Sequence, residues 1–193
     1  MHFTIADLVT DITQNAVEAG ADTVELEVTE SGSPPNGSPL SGGEFRFLVR
    51  DNGKGMTEEE LKRAMDPFVT DGIKHPNRKV GLGLPFLIQT AEQSGGGWDI
   101  KSEKGKGTMV TAWFDTGNVD MPPMGDIPGM FRTILMFNSS AEIILRRKKL
   151  INSAEEEYEV RKSELAEALG GLEDAGSLVL LGQYLRSLEE SEE

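Results

Sequence analysis

The chain has 193 residues, a formal net charge of -14 and no cysteine. That length suits one ordinary domain with a small addition, and the missing thiols exclude disulfides, thiolate metal sites and cysteine nucleophiles. The acidity is shared, with 11 basic against 18 acidic side chains in residues 1–117 and 8 against 15 in residues 118–193. Such a surface repels phosphate backbones, which makes nucleic acid a poor partner.

The opening segment, "MHFTIADLVTDITQ", lacks the basic start and apolar run of a secretory signal. No window of 18 apolar residues suggests a membrane span. The expectation is a cytoplasmic protein without a membrane partner. Ile5, Leu8, Val9, Ile12, Ala16 and Ala19 fall at helical spacing and predict a helix over Thr4 to Ala19. Thr4 with Asp7 resembles a capping box, and Gly20 supplies the stop. "TVELEVTE" alternates as a half-buried strand, "SGSPPNGSPLSGG" is a long hairpin loop, and "EFRFLVRD" is the returning strand. Thr57 caps a second helix whose first turn holds Glu58, Glu59 and Glu60.

Residues 69–80 lack periodicity and read as a loop, followed by a helix from Leu82 to Ser94 that Gly95 to Gly97 ends. "WDIKSE" and "TMVTAWFD" are two more strands, joined by "KGKG". Gly117 to Gly129 is rich in Pro and Gly and reads as a linker. Beyond it, Met130 to Phe137 is expected as helix, "AEIILRRK" with "EEYEVR" as a β-hairpin, and Ser163 to Leu169 and Ser177 to Leu188 as helices. The expected organisation is a main domain over 1–116, a linker over 117–130 and a small α/β extension over 131–193.

Four segments carry chemistry. Asp11 and Asn15 lie one helical turn apart and share a face. A carboxamide oxygen is a hard ligand suited to Mg²⁺, and a carboxylate can take a proton from an attacking water. In "DNGKGM" Asp51 stands at the mouth of a turn where Gly53 and Gly55 permit positive φ and close approach of a ligand. In "VGLGLPF" Gly81 and Gly83 open a helix with Pro85 in its first turn, a phosphate site by dipole and unpaired N–H groups. Lys74, Arg78 and Lys79 flank it. "GKGT", Gly105 to Thr108, closes the set. Each fragment alone also reads as something ordinary: an exposed polar stripe, a β-turn, solvated charges, a hairpin turn. The glycines do not form a dinucleotide fingerprint, and no Walker A pair is present.

In this order the four segments resemble the ATPase domain shared by sensor histidine kinases, gyrase, mismatch-repair ATPases and heat-shock chaperones, from about Thr4 to Phe114. The resemblance implies a two-layer α+β sandwich with a mixed, mostly antiparallel sheet covered on one face by helices. It implies ATP and Mg²⁺ as ligands. Asn15 matches the Mg²⁺-binding Asn, and "NAVEAGA" is similar to the mismatch-repair version of that helix. Asp51, Gly53 and Gly55 match the first glycine box, where the Asp meets the adenine amino group. "DPFVTDG" resembles the phenylalanine box of histidine kinases. Gly81 and Gly83 match the second glycine box, and Gly105, Gly107 and Thr108 the third. Met56, Leu82 and Leu84 stand beside those glycines in the implied nucleotide-binding set. Residues 69–80 become the ATP lid, with Lys74, Arg78 and Lys79 toward phosphate.

Two departures shape the expected function. The position four before the Mg²⁺-binding Asn is Asp11, where members of the resembled family often carry Glu or, in many histidine kinases, Asn, so a carboxylate is kept on a shorter arm. No leading strand or helix bearing a phospho-accepting His precedes the first helix, and neither His2 nor His75 sits like an acceptor. The expected function is Mg-ATP binding, with Asp11 as base and the γ-phosphoryl passed to water or to a partner protein. The alternatives are an ATP-gated protein-binding module and a scaffold that binds no nucleotide.

Overall fold

The computed structural model describes residues 4–33, 40–68, 83–151 and 154–190. The first helix, α1 (Ile5–Glu18), forms for the reason its spacing suggests. Ile5, Leu8, Val9, Ile12 and Ala16 are all buried on one face. The Thr4 hydroxyl accepts from the Asp7 N–H at 3.1 Å, and the Asp7 carboxylate accepts from the Thr4 N–H at 3.0 Å. That reciprocal cap satisfies two orphan donors. Gly20, at φ 74°, turns the chain into β1 (Thr23–Ser31).

The remaining elements are β2 (Glu44–Asp51), α2 (Glu58–Met65), α3 (Gly83–Gln93), β3 (Gly97–Glu103), β4 (Gly107–Asp115), α4 (Ile127–Leu135), β5 (Glu142–Ile151), β6 (Ala154–Arg161), α5 (Lys162–Leu169) and α6 (Ala175–Glu189). The six strands form one sheet in the order β3-β4-β2-β1-β5-β6. Only the β1–β5 pair is parallel. The result is the expected two-layer sandwich with a mixed, mostly antiparallel sheet.

Alternation decides the faces. Val24, Leu26 and Val28 of β1 pair with Asp51, Val49 and Phe47 of β2, and these continue to Thr108, Val110 and Ala112 of β4. This row meets the buried faces of α1, α3, α4 and α6 in one apolar core. Phe114 lies 6.4 Å from Phe45 and 6.3 Å from Phe47, centroid to centroid. Each such pair adds about 0.5–1.5 kcal/mol beyond the area it buries. The opposite face carries Glu25, Arg46, Arg50, Arg146 and Lys148, the polar side of a half-covered sheet.

The C-terminal residues join the same sheet. The expected β5–β6 hairpin forms, but β5 also pairs with β1 along its length, from Thr23↔Glu142 to Ser31↔Leu150. Helix α4 starts at Ile127, inside the stretch expected as linker and three residues before the expected Met130. Asp126 caps it, accepting from the Gly129 N–H at 3.0 Å, and Pro128 stands in the first turn. The preceding segment is bonded too. The Ile5 and Ala6 N–H groups donate to the carbonyls of Pro123 (2.9 Å) and Met124 (3.0 Å).

Two polar joints fix the periphery. The Asp115 carboxylate accepts from the Ser41 N–H and hydroxyl, both at 2.7 Å, and from the N–H groups of Gly42 and Gly117, both at 2.9 Å. Those donors hold its pKa down, to about 2. On β5, the Arg147 side chain is 2% exposed and binds Glu30 of β1 and, at 3.3 Å, Glu189 of α6. Glu189 also takes Lys149 at 2.8 Å and the Tyr158 hydroxyl at 2.6 Å. Burial and the Glu189 carboxylate raise the Tyr158 pKa far above its ordinary value. Among the described residues no helix is long and apolar enough to cross a membrane.

Candidate functional site

The end of the sheet where β2 stops brings the motifs together. Asp51 is the last residue of β2 and is 7% exposed. Its Oδ1 accepts from the Gly53 N–H at 2.8 Å, and the Thr108 N–H donates to the same carboxylate. Burial pushes the Asp51 pKa up, and the two backbone donors offset part of that rise. An ionised carboxylate held this way has lone pairs left that can accept from a further donor such as an exocyclic amine. The neighbouring Asn52 takes no such part. Its Oδ1 accepts from the N–H groups of Asp22 (2.9 Å) and Thr23 (3.0 Å), which pins the start of β1 to the turn.

The glycines of the first and third boxes have a packing reason that the sequence reading gave to ligand approach. Gly55 sits at φ 57°, and a Cβ there would lie 1.9 Å from the Glu103 carbonyl oxygen. Gly107 sits at φ 106°, and a Cβ there would lie 1.9 Å from the Asp51 carbonyl oxygen. The two turns therefore touch backbone to backbone, and any side chain at either position separates them. The Gly105 N–H closes the contact by donating to the Lys54 carbonyl at 2.8 Å. Gly53 lies against the end of α1, where the Lys54 N–H donates to the Ala19 carbonyl at 3.0 Å.

The second box meets α1. A Cβ on Gly83, the first residue of α3, would stand 2.9 Å from Asp11 Oδ2 and 3.2 Å from Asn15 Nδ2. Asp11 is half-buried and Asn15 exposed. The start of one helix is thus flush with a carboxylate and a carboxamide on another, and Leu84 follows, partly buried against the core. Among the described residues no cluster of three or more His, Cys, Asp or Glu is placed to hold a metal. A Mg²⁺ ion bound chiefly by phosphate oxygens needs only one or two protein oxygens, so the Asp11–Asn15 pair fits it. Lys74, Arg78, Lys79, Gly81, Leu82 and the lid over 69–80 lie outside the described residues.

Sequence reasoning missed Ser102. Its Oγ accepts from the Met56 N–H at 2.8 Å, reaches the Gly107 carbonyl at 3.2 Å and lies 2.8 Å from Thr108 Oγ1. It joins the first box to the third. The signal was available: in "WDIKSE" the inward positions run Trp98, Ile100, Ser102, and the last is polar. A cavity of about 350 Å³ lies elsewhere, at the far end of β1, lined by Glu30, Thr116, Asn118 and Met121. Its one carboxylate, Glu30, is committed to Arg147.

The chain is similar to known proteins. The family model described as histidine kinase-, DNA gyrase B- and HSP90-like ATPase matches residues 3–118. The sensor histidine kinase ZraS of Escherichia coli (strain K12) is 29% identical over 111 residues, which cover 58% of this chain and 21% of that protein. Sporulation kinase E of Bacillus subtilis (strain 168) is 33% identical over 99 residues, covering 51% and 12%. The DNA mismatch repair protein MutL of Thermus aquaticus is 32% identical over 80 residues, covering 42% and 13%. The chain therefore spans about a fifth or less of the curated relatives it matches. A crystal structure of the N-terminal domain of a DNA repair protein superposes with a TM-score of 0.51 at 10% identity, covering 91% of this chain and 58% of that one. With the matched stretch taking in all three glycine boxes and the Asp11–Asn15 helix, the chain belongs to the histidine kinase-, DNA gyrase B- and HSP90-like ATPase family.

Proposed function

We propose that this protein binds Mg-ATP and passes its γ-phosphoryl to water or to a side chain of a partner protein. The observation that carries the reading is the closeness of the α3 start to Asp11 and Asn15, where a Cβ on Gly83 would meet both side chains; it supports a phosphate-binding type of helix start beside a base and a carboxamide ligand. Asp51 and Thr108 are the base-reading end of the same site, and Gly53, Gly55, Met56, Gly107 and Leu84 shape its walls. Lys74, Arg78, Lys79, Gly81 and Leu82 belong to the phosphate side by the family pattern. Asn15 is the residue that would hold Mg²⁺, and the bound ion supplies charge neutralisation at the phosphates. The relatives named as kinases support phosphoryl transfer as the chemistry.

Asp11 is the proton acceptor. As the attacking oxygen bonds to the γ-phosphorus, the bond to the β-bridging oxygen breaks, the proton goes to the Asp11 carboxylate, and ADP leaves. Calorimetric titration with ATP and Mg²⁺, followed by ADP release on the same sample, tests this. Wild type binds and releases ADP, while Asp11→Asn binds and does not. Binding with no ADP release from wild type, alone or with a partner, would replace this reading with that of an ATP-gated docking module.

A further inference from the structure

Ser102, Thr108 and Asp51 form a row across three strands. Ser102 is the register partner of Thr108, and Thr108 that of Asp51. All three lie on the helix-covered face. Ser102 Oγ has three polar neighbours and a single proton. The Met56 N–H uses one lone pair. The Gly107 carbonyl can only accept, so it takes the Ser102 proton. The Thr108 hydroxyl must then donate to the remaining Ser102 lone pair. This is the one assignment that makes all three contacts hydrogen bonds. It leaves Thr108 Oγ1 without a proton for the site. Beside it stands the Asp51 carboxylate, an acceptor only when ionised. Both side chains, at the end of the sheet where the glycine turns meet, then ask for donors.

We infer that Ser102 is a specificity-determining residue. By holding the Thr108 proton away from the pocket, it makes the base site accept purines with an amine at C6 and reject purines with an oxygen there. The inference rests on the Mg-ATP reading. Its physical content is the asymmetry between a satisfied and an opposed acceptor: a 6-amino group offers two N–H donors, whereas a 6-oxo group faces Asp51 and Thr108 acceptor to acceptor. A hydroxyl that merely stitched β3 to β4 would affect stability and leave base preference alone.

The test is a series of three Mg²⁺ nucleotides, ATP (6-amino), purine riboside triphosphate (6-H) and inosine triphosphate (6-oxo), titrated calorimetrically into wild type, Ser102→Thr and Ser102→Ala. Wild type binds them in the order ATP, 6-H, 6-oxo, and Ser102→Thr, which keeps the hydroxyl, follows it. In Ser102→Ala the freed Thr108 hydroxyl can donate, and 6-oxo binding gains about tenfold relative to 6-H. An unchanged ratio in a Ser102→Ala protein that still binds ATP would overturn the role of Ser102 alone. Should Ser102→Ala fail to fold, the wild-type series decides, since 6-oxo binding as tight as 6-H would show a donor in the pocket. No binding of any of the three by wild type would overturn the Mg-ATP reading as well.

Discussion

On one side of the sheet, Gly55 and Gly107 bring the turns after β2 and before β4 into backbone contact, closed by the main-chain bond from Gly105 to Lys54 and by the short Ser102 side chain. On the other, β5 and α6 are joined through side chains, with Arg147 binding Glu30 and Glu189, and Glu189 also taking Lys149 and the Tyr158 hydroxyl. A backbone contact leaves no room for substitution and fixes distances at the place where a ligand is to be read. An ion cluster holds elements together through long side chains and fixes position less tightly. The comparison divides the molecule into a side where a change alters geometry and a side where it alters cohesion.

The strongest way to break that division is at Gly107. Gly107→Ala forces a Cβ into the Asp51 carbonyl at positive φ and should cost about 3–5 kcal/mol in denaturant unfolding. Gly105→Ala, at φ 77° with open space around it, should cost only about 1–2 kcal/mol. Equal costs would mean that the two turns do not interlock. Next comes Arg147→Met, which strands Glu30 and leaves Glu189 with Lys149 and Tyr158 alone and should cost about 3 kcal/mol. ATP affinity should stay within about threefold, and a larger loss would erase the separation between the two sides.

Asp51→Asn sharpens the contrast by moving binding and stability in opposite directions. ATP affinity should fall about 100-fold. Stability should rise at neutral pH for the following reason. The Asp51 pKa is raised in the folded state, so the native protein holds this proton more firmly than the unfolded chain, and ionisation above that range is a penalty on folding. The variant's gain in melting temperature should therefore be present at pH 7 and vanish as pH falls below about 4. Asp115 behaves with the opposite sign. Its folded pKa of about 2, against 3.8 ordinarily, adds stability that is complete above the ordinary value and is lost as pH falls toward 2. Asp115→Asn should lower the melting temperature at pH 7 and converge with wild type at acid pH.

The sequence was most informative where the signal is local. Thr4 with Asp7 forms the reciprocal cap its spacing suggested, Thr57 caps α2 as expected, and the alternation of "TVELEVTE" and "EFRFLVRD" predicts their buried faces. The β5–β6 hairpin was legible for the same reason. Its parallel pairing to β1 was not, because nothing in a hydrophobic pattern names a partner more than 100 residues away. The role of Pro123 and Met124 was hidden likewise, since carbonyl oxygens carry no sequence signature. In the site, the approach of Gly83 to Asp11 and Asn15 has no local signal in either segment, and Ser102 escaped notice because a single serine at an inward strand position looks like a flaw in the alternation.

The β1–β5 pairing has a practical consequence for anyone cutting this chain. The family match stops at 118, but excising residues 4–118 would strip β1 of one neighbour and leave Val24, Leu26 and Val28 on an open, β-branched-rich border. The Ile5 and Ala6 amides would lose their carbonyl partners in the same operation. Such a fragment has the makings of a self-associating strand, so domain dissection of this protein calls for a boundary beyond Arg161, where the Glu155, Glu156, Glu157 and Glu159 carboxylates of β6 form a border that other strands avoid.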